Sequence, residues 1–139
     1  MKYVVEIEIN KPQAEVAWGY VNLEKMYAWE KGLKRIEHQK GKLFDTGSIG
    51  HLVFEFNGVE MPMKVTVEKE KLPDHIIQIF EVPGAWNRCD SHFIAQGSMT
   101  KWVMDVEFRL DKPTDIPQER FVEKTTQSMH VYKDYIEKD

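Results

Sequence analysis

Cysteine is almost missing from this chain. Cys89 is the single one among 139 residues, which excludes an intrachain disulfide and a multi-cysteine metal site. Runs of like charge are missing as well. With a net charge of −4 and no basic stripe, nothing is built to track a phosphate backbone or an anionic membrane surface. Nucleic acid is therefore not an expected partner. No apolar stretch approaches the roughly 20 residues a membrane-spanning helix needs, so membrane insertion is not expected either. Met1-Lys2-Tyr3-Val4-Val5-Glu6 alternates with charges from the start and lacks the apolar block of a signal peptide. The sequence thus reads as a soluble cytoplasmic protein. It holds no phosphate-binding glycine loop, no Gly-x-Ser-x-Gly and no His-x-x-x-His. No metal and no cofactor is expected. What is present is an apolar fraction of 42%, enough for a real core in one domain spanning residues 1–139.

The most informative stretch is Ser48 to Glu68. Asn57-Gly58 is the dipeptide favoured by a two-residue turn with positive φ at both centres. Closing strands there sets Phe56 against Val59, Phe54 against Met61, Leu52 against Met63 and Gly50 against Val65. Side chains alternate along a strand, so this whole set shares one apolar, Met-rich face. The other face carries His51 with Lys64, Val53 with Pro62, and Glu55 opposite Glu60. That like-charge pair is tolerable only where the face is wet.

Taken in order, Tyr3, Val5, Ile7 and Ile9 form one side of a first strand. Pro12 starts a short helix running to about Val21, Asn22 breaks it, and a second short helix reaches Trp29. Further strands are expected over Leu33–Lys40, the hairpin, His75–Val82, Trp86–Ala95 and Thr100–Leu110. The turn at Gly97-Ser98 pairs Phe93 with Trp102, Ser91 with Met104 and Cys89 with Val106. The strand His75–Val82 has two possible registers. Either Ile77, Ile79 and Glu81 face inward, or Ile76, Gln78, Phe80 and Val82 do. A last helix runs to near Ile136, with Asp115 as its cap and Pro117 in its first turn.

Antiparallel strands with one apolar face need a cover, and the last helix is the only long one. The economical fold is α+β: a curved seven-stranded antiparallel sheet around the C-terminal helix, with two short helices between strands 1 and 2. That order resembles the helix-grip SRPBCC superfamily of START domains and the birch-pollen allergen. It is most similar to the small polyketide cyclase/dehydrase-like proteins of bacteria. The residues carrying the resemblance are Pro12 with Val16 and Trp18, Trp29, Gly47, the apolar strand from Trp102 to Phe108, and the helix after Pro117. The resemblance implies a cavity between sheet and helix for an apolar or amphipathic small molecule: a lipid, a polyketide or an aromatic compound.

The expected lining is Leu52, Phe54, Phe56, Met61, Met63, Phe93, Trp102, Met104, Thr125, Met129 and Tyr132. Met side chains adapt to varied ligand shapes; periodicity alone favours a plain packed core, and the resemblance turns the reading toward a partly hollow one. Thr125, Ser128 and Tyr132 put hydroxyls where Leu would pack better, so they bond either to a ligand or back to the helix. Two further functions stay open. One is a cyclase, dehydratase or isomerase in which Glu81, turned inward and desolvated, acts as general acid or base with help from His38 or Tyr132. The other is a protein-interaction module using Trp86 and Val103 on the outside of the sheet. Arg88, Asp90 and His92 read as an outer polar row. A monomer and a homodimer are equally compatible with the sequence.

Overall fold

The computed structural model describes residues 1–138. Strand β1 (Lys2–Ile9) buries Val5, Ile7 and Ile9 and leaves the alternating glutamates in solvent. Pro12 takes the N-cap position of helix α1 (Gln13–Tyr20) with φ −63° and ψ 152°, a place where the missing N–H costs nothing. Asn22 separates α1 from α2 (Leu23–Trp29). Its Oδ1 accepts the Lys25 backbone N–H at 3.1 Å, which satisfies one donor at the helix start.

Strands β2 (Leu33–Lys40), β3 (Ile49–Phe56), β4 (Val59–Lys71), β5 (His75–Val82), β6 (Ala85–Gln96) and β7 (Met99–Leu110) follow as a meander. Because β1 pairs with β7, the seven-stranded antiparallel sheet has the order β1-β7-β6-β5-β4-β3-β2. Helix α3 (Gln118–Ile136) crosses the concave side and packs on β1, α1 and α2. Pro117, not Asp115, occupies its N-cap position, and no side chain caps it. The expected Asp115 cap is corrected: the extended backbone at Pro117 starts the helix without it.

The β3–β4 hairpin closes on Asn57 (φ 53°) and Gly58 (φ 80°). Its register is Gly50–Val65, Leu52–Met63, Phe54–Met61 and Phe56–Val59, as the turn chemistry predicts. The like-charged Glu55 and Glu60 meet on the solvent side, and β2 resolves the conflict. Lys34 Nζ lies 2.7 Å from Glu55 and 3.1 Å from Glu60. Arg35 grips Glu60 with both terminal nitrogens at 2.9 and 3.0 Å. These hydrogen bonds, Arg35 first, hold the Glu60 carboxyl down at about 2.

The β5 register turns on a bulge. From the turn, Lys71 pairs with His75 and Lys69 with Ile77. Continued without interruption, that pairing would set Glu81 opposite Val65, on the inner face. The register shifts between Val67 and Lys69, so Gln78 meets Val67, Phe80 meets Val65, and Glu81 meets Lys64 instead. One extra residue in a strand reverses which face every later side chain takes. Ile76, Gln78 and Phe80 therefore point to the core, and Glu81 does not.

Candidate ligand-binding cavity

Five aromatic rings organise the space between sheet and helix. Tyr20, from the last turn of α1, stands 5.0 Å from Trp102, 5.3 Å from Tyr132, 5.8 Å from Trp29 and 5.9 Å from Phe93, centroid to centroid. Most of these contacts are tilted or edge-to-face, the arrangement the ring quadrupoles favour. Tyr132 anchors the group. Its hydroxyl donates to the Val16 carbonyl at 2.6 Å, tying α3 to α1 in the core. Gly19 makes room for it, since a Cβ there would stand 2.7 Å from the Tyr132 hydroxyl oxygen.

Beside this cluster lies a cavity of about 170 Å³. Trp102, Met104, Cys89 and Phe80 form its sheet wall, and Thr125, Ser128 and Met129 its helix wall. Tyr20, Trp29 and Glu30 close the end at the short helices. Ser128 is exposed, so the cavity reaches solvent beside α3. These sheet residues share the inner face because Phe80 pairs with Asn87, which alternates onto the same side of β6 as Cys89, and Cys89 pairs with Val106, on the same side of β7 as Met104 and Trp102.

The polar groups of the cavity are few and unevenly partnered. The indole N–H groups of Trp29 and Trp102 are fully buried without an acceptor among the described residues. A buried donor left unpaired costs about 1–3 kcal/mol. Glu30 follows α2 directly, and burial raises its carboxyl to about 7. Burial also raises the Tyr20 hydroxyl well above its ordinary value, reinforced by Cys89 and Glu30 nearby. The Cys89 thiol is pushed up to about 12 by burial, which leaves it protonated and a poor nucleophile. The helix hydroxyls are engaged: Thr125 Oγ1 bonds the Tyr3 hydroxyl at 2.7 Å, and Ser128 Oγ donates to the Lys124 carbonyl at 3.1 Å.

No family model and no curated protein matches the sequence. Solved structures do match. Ara h 8.0201 superposes with a TM-score of 0.83 at 12% identity, over 98% of this chain and 97% of its own. A START superfamily protein from Mycobacterium smegmatis gives 0.75 at 12% identity, over 98% and 97%. CalU16 from Micromonospora echinospora gives 0.65 at 11% identity, over 98% of this chain and 76% of its own. The chain shares the fold of these structures, a helix-grip arrangement of curved antiparallel sheet and long C-terminal helix.

Within this helix-grip frame the expected lining residues separate into groups. Trp102, Met104, Thr125 and Met129 line the cavity. Phe93 and Tyr132 stand behind its wall, while Leu52 and Phe54 are buried in the core away from it. Met63 is partly buried against that core. Phe56 and Met61, at 49% and 40% exposure, stand at the hairpin tip in solvent. They are corrected as lining residues because the hairpin extends past the cover of α3.

Both catalytic candidates lie outside. Glu81 is on the convex face between Lys64 and Trp86. His38 is exposed on edge strand β2, where its Nδ1 accepts the Leu43 backbone N–H at 3.2 Å and braces the following loop. The interaction pair does not form a patch either. Trp86 lies opposite Arg109, whose guanidinium stacks on it at 4.4 Å, and Val103 lies opposite His92, six positions further along β6. Sequence reasoning missed Tyr20, Trp29, Glu30, Phe80, Asn87 and Cys89 as lining. One signal for Glu30 was available: a carboxylate at a helix C-terminus opposes the helix dipole and needs another reason to be there.

Proposed function

We propose that this protein binds an amphipathic small molecule, with an aromatic or short apolar body, in the cavity between α3 and the sheet. The observation that carries the reading is a solvent-reaching cavity whose walls are mostly apolar, with Glu30 and Asn87 among its few polar side chains. Those polar side chains suit a hydroxyl, carbonyl or amide group on the ligand, while Met104, Met129 and Phe80 take its apolar part. Size narrows the class. A dry apolar cavity of about 150 Å³ accommodates benzene, so about 170 Å³ here favours a ring compound over a long acyl chain held entirely inside.

The test is methyl NMR of methionine-labelled protein titrated with indole, phenol and dodecanoate. Met104 and Met129 line the cavity, whereas Met61 is at the exposed hairpin tip. Indole or phenol is expected to shift the first two and spare Met61. Shifts at Met61 alone, or none with any probe, would remove the reading.

A second reading is favoured by Glu30. A carboxyl raised to about 7 inside a cavity is matched to proton transfer near neutral pH. In an isomerase or dehydratase it would occupy the role that Glu81 cannot reach. A carbon-13 titration of Glu30 with an ordinary carboxylate midpoint would remove this chemistry.

A further inference from the structure

Three side chains converge on the convex face, away from the cavity. His75 and His92 are direct cross-strand partners on β5 and β6, and Asp90 is two residues before His92 on the same face. Asp90 Oδ1 lies 3.1 Å from His75 Nδ1 and 3.2 Å from His92 Nε2. All three donor atoms lie within 4.8 Å of one another. We propose that His75, Asp90 and His92 bind a divalent first-row transition ion of the Zn²⁺ type.

Distance and chemistry both support this assignment. Imidazole nitrogen and carboxylate oxygen bind Zn²⁺ at about 2.0–2.2 Å, which sets neighbouring ligand atoms of a tetrahedron about 3.3 Å apart. The two Asp90 contacts, at 3.1 and 3.2 Å, are close to that length. Two imidazoles with one carboxylate suit zinc, copper or nickel over magnesium or calcium, which take oxygen ligands. Asp105 lies directly opposite Asp90 on β7, and a cation relieves the repulsion between facing carboxylates. Arg88, two residues before Asp90 on the same face, commits its guanidinium to a two-point bond with Glu68 at 2.9 and 3.0 Å. A groove bordered by Asp90, Asp105, Arg88, Lys2 and Glu107 adjoins the cluster and leaves Asp90 accessible to solvent.

One movement is required. The two imidazole rings are stacked within 5° of parallel, 4.9 Å apart, and a metal must lie in the plane of each ring it binds. One ring must therefore turn. The His92 side chain is 39% exposed, against 18% for His75 and Asp90, so His92 is the one free to swing. Binding then opens the stack, with His75 and Asp90 as the fixed ligands.

Isothermal titration of the full chain with ZnCl₂ tests the site, with Mg²⁺ and Ca²⁺ as comparison ions. The expected result is one Zn²⁺ per chain. Asp90→Asn and His92→Ala should each weaken it by more than about tenfold, and combined alanine replacement of His38, His51 and His130 should leave it unchanged. Imidazole NMR of the unaltered protein provides the second reading, independent of how any variant folds. Zn²⁺ should shift the His75 and His92 rings together and leave His51 and His130 in place. Absence of Zn²⁺ binding, binding unaffected by Asp90→Asn and His92→Ala, or Zn²⁺-induced shifts confined to other histidines would each overturn the proposal.

Discussion

At the scale of single residues, Glu30 combines an unfavourable position with a definite consequence. It caps the C-terminal end of α2, where the helix dipole disfavours negative charge, and burial raises its carboxyl from 4.5 to about 7. Below about 4.5 folded and unfolded chains both hold the proton, and Glu30 has no effect on pH-dependent stability. Between about 4.5 and about 7 the folded chain keeps a proton that the unfolded chain has lost, so stability falls as pH rises. Above that window the cost is constant, at about 1–3 kcal/mol. Glu30→Gln should therefore raise the urea midpoint at pH 8 and leave it nearly unchanged at pH 4. A variant no more stable than the parent at pH 8 would show that the carboxylate is well solvated. The neighbouring Tyr20 was legible only as an inward-facing helix residue. Its place among four other rings depends on the packing of α1, α2, α3 and two sheet positions together.

At the scale of elements, local chemistry was legible wherever a turn declared itself. Asn57-Gly58 determined the β3–β4 register, and Gly97-Ser98 determined that of β6 with β7. The β5 strand had no such device, because its face depends on one extra residue between Val67 and Lys69. A bulge has no obligatory sequence, so alternating apolar residues on both sides of β5 left two readings open. The β2–β3 pairing carries a sharper requirement. A Cβ on Gly50 would collide with the Glu37 carbonyl oxygen and stand 2.6 Å from Leu43 Cδ1. Gly50→Ala should cost about 1–3 kcal/mol, toward the upper end because the obstacle is backbone. Chemical denaturation measures it directly. A midpoint equal to that of the parent would mean that β2 is free to move off β3.

At the scale of the whole molecule, the cavity couples ligand binding to stability. A compound that enters only the folded state raises stability with the logarithm of its concentration, about 2.7 kcal/mol at one hundred times Kd. Indole should thus raise the Tm steadily with concentration. Met129→Trp, which extends a bulky ring from the helix wall, should abolish that rise while keeping the fold. An equal Tm response in both proteins would place indole outside the cavity.

The sequence by itself determined the order of elements, both hairpin registers and the apolar side of most strands. Each of these follows from residues close together in the chain: a turn dipeptide, a proline after a strand, an alternation of period two. It also determined that one long helix must cover the sheet, since no other element could. Tertiary structure decided which residues share the cavity, because Tyr20, Glu30, Cys89 and Ser128 come from α1, the end of α2, β6 and α3. It sent Glu81 outward, and it moved the hairpin tip with Phe56 and Met61 beyond the reach of α3. It also set His75 beside Asp90 and His92, a meeting of two strands that spacing along one strand does not encode. The physical reason is the same throughout. Faces within an element follow from local geometry, whereas a site follows from the register and curvature that bring separate elements together.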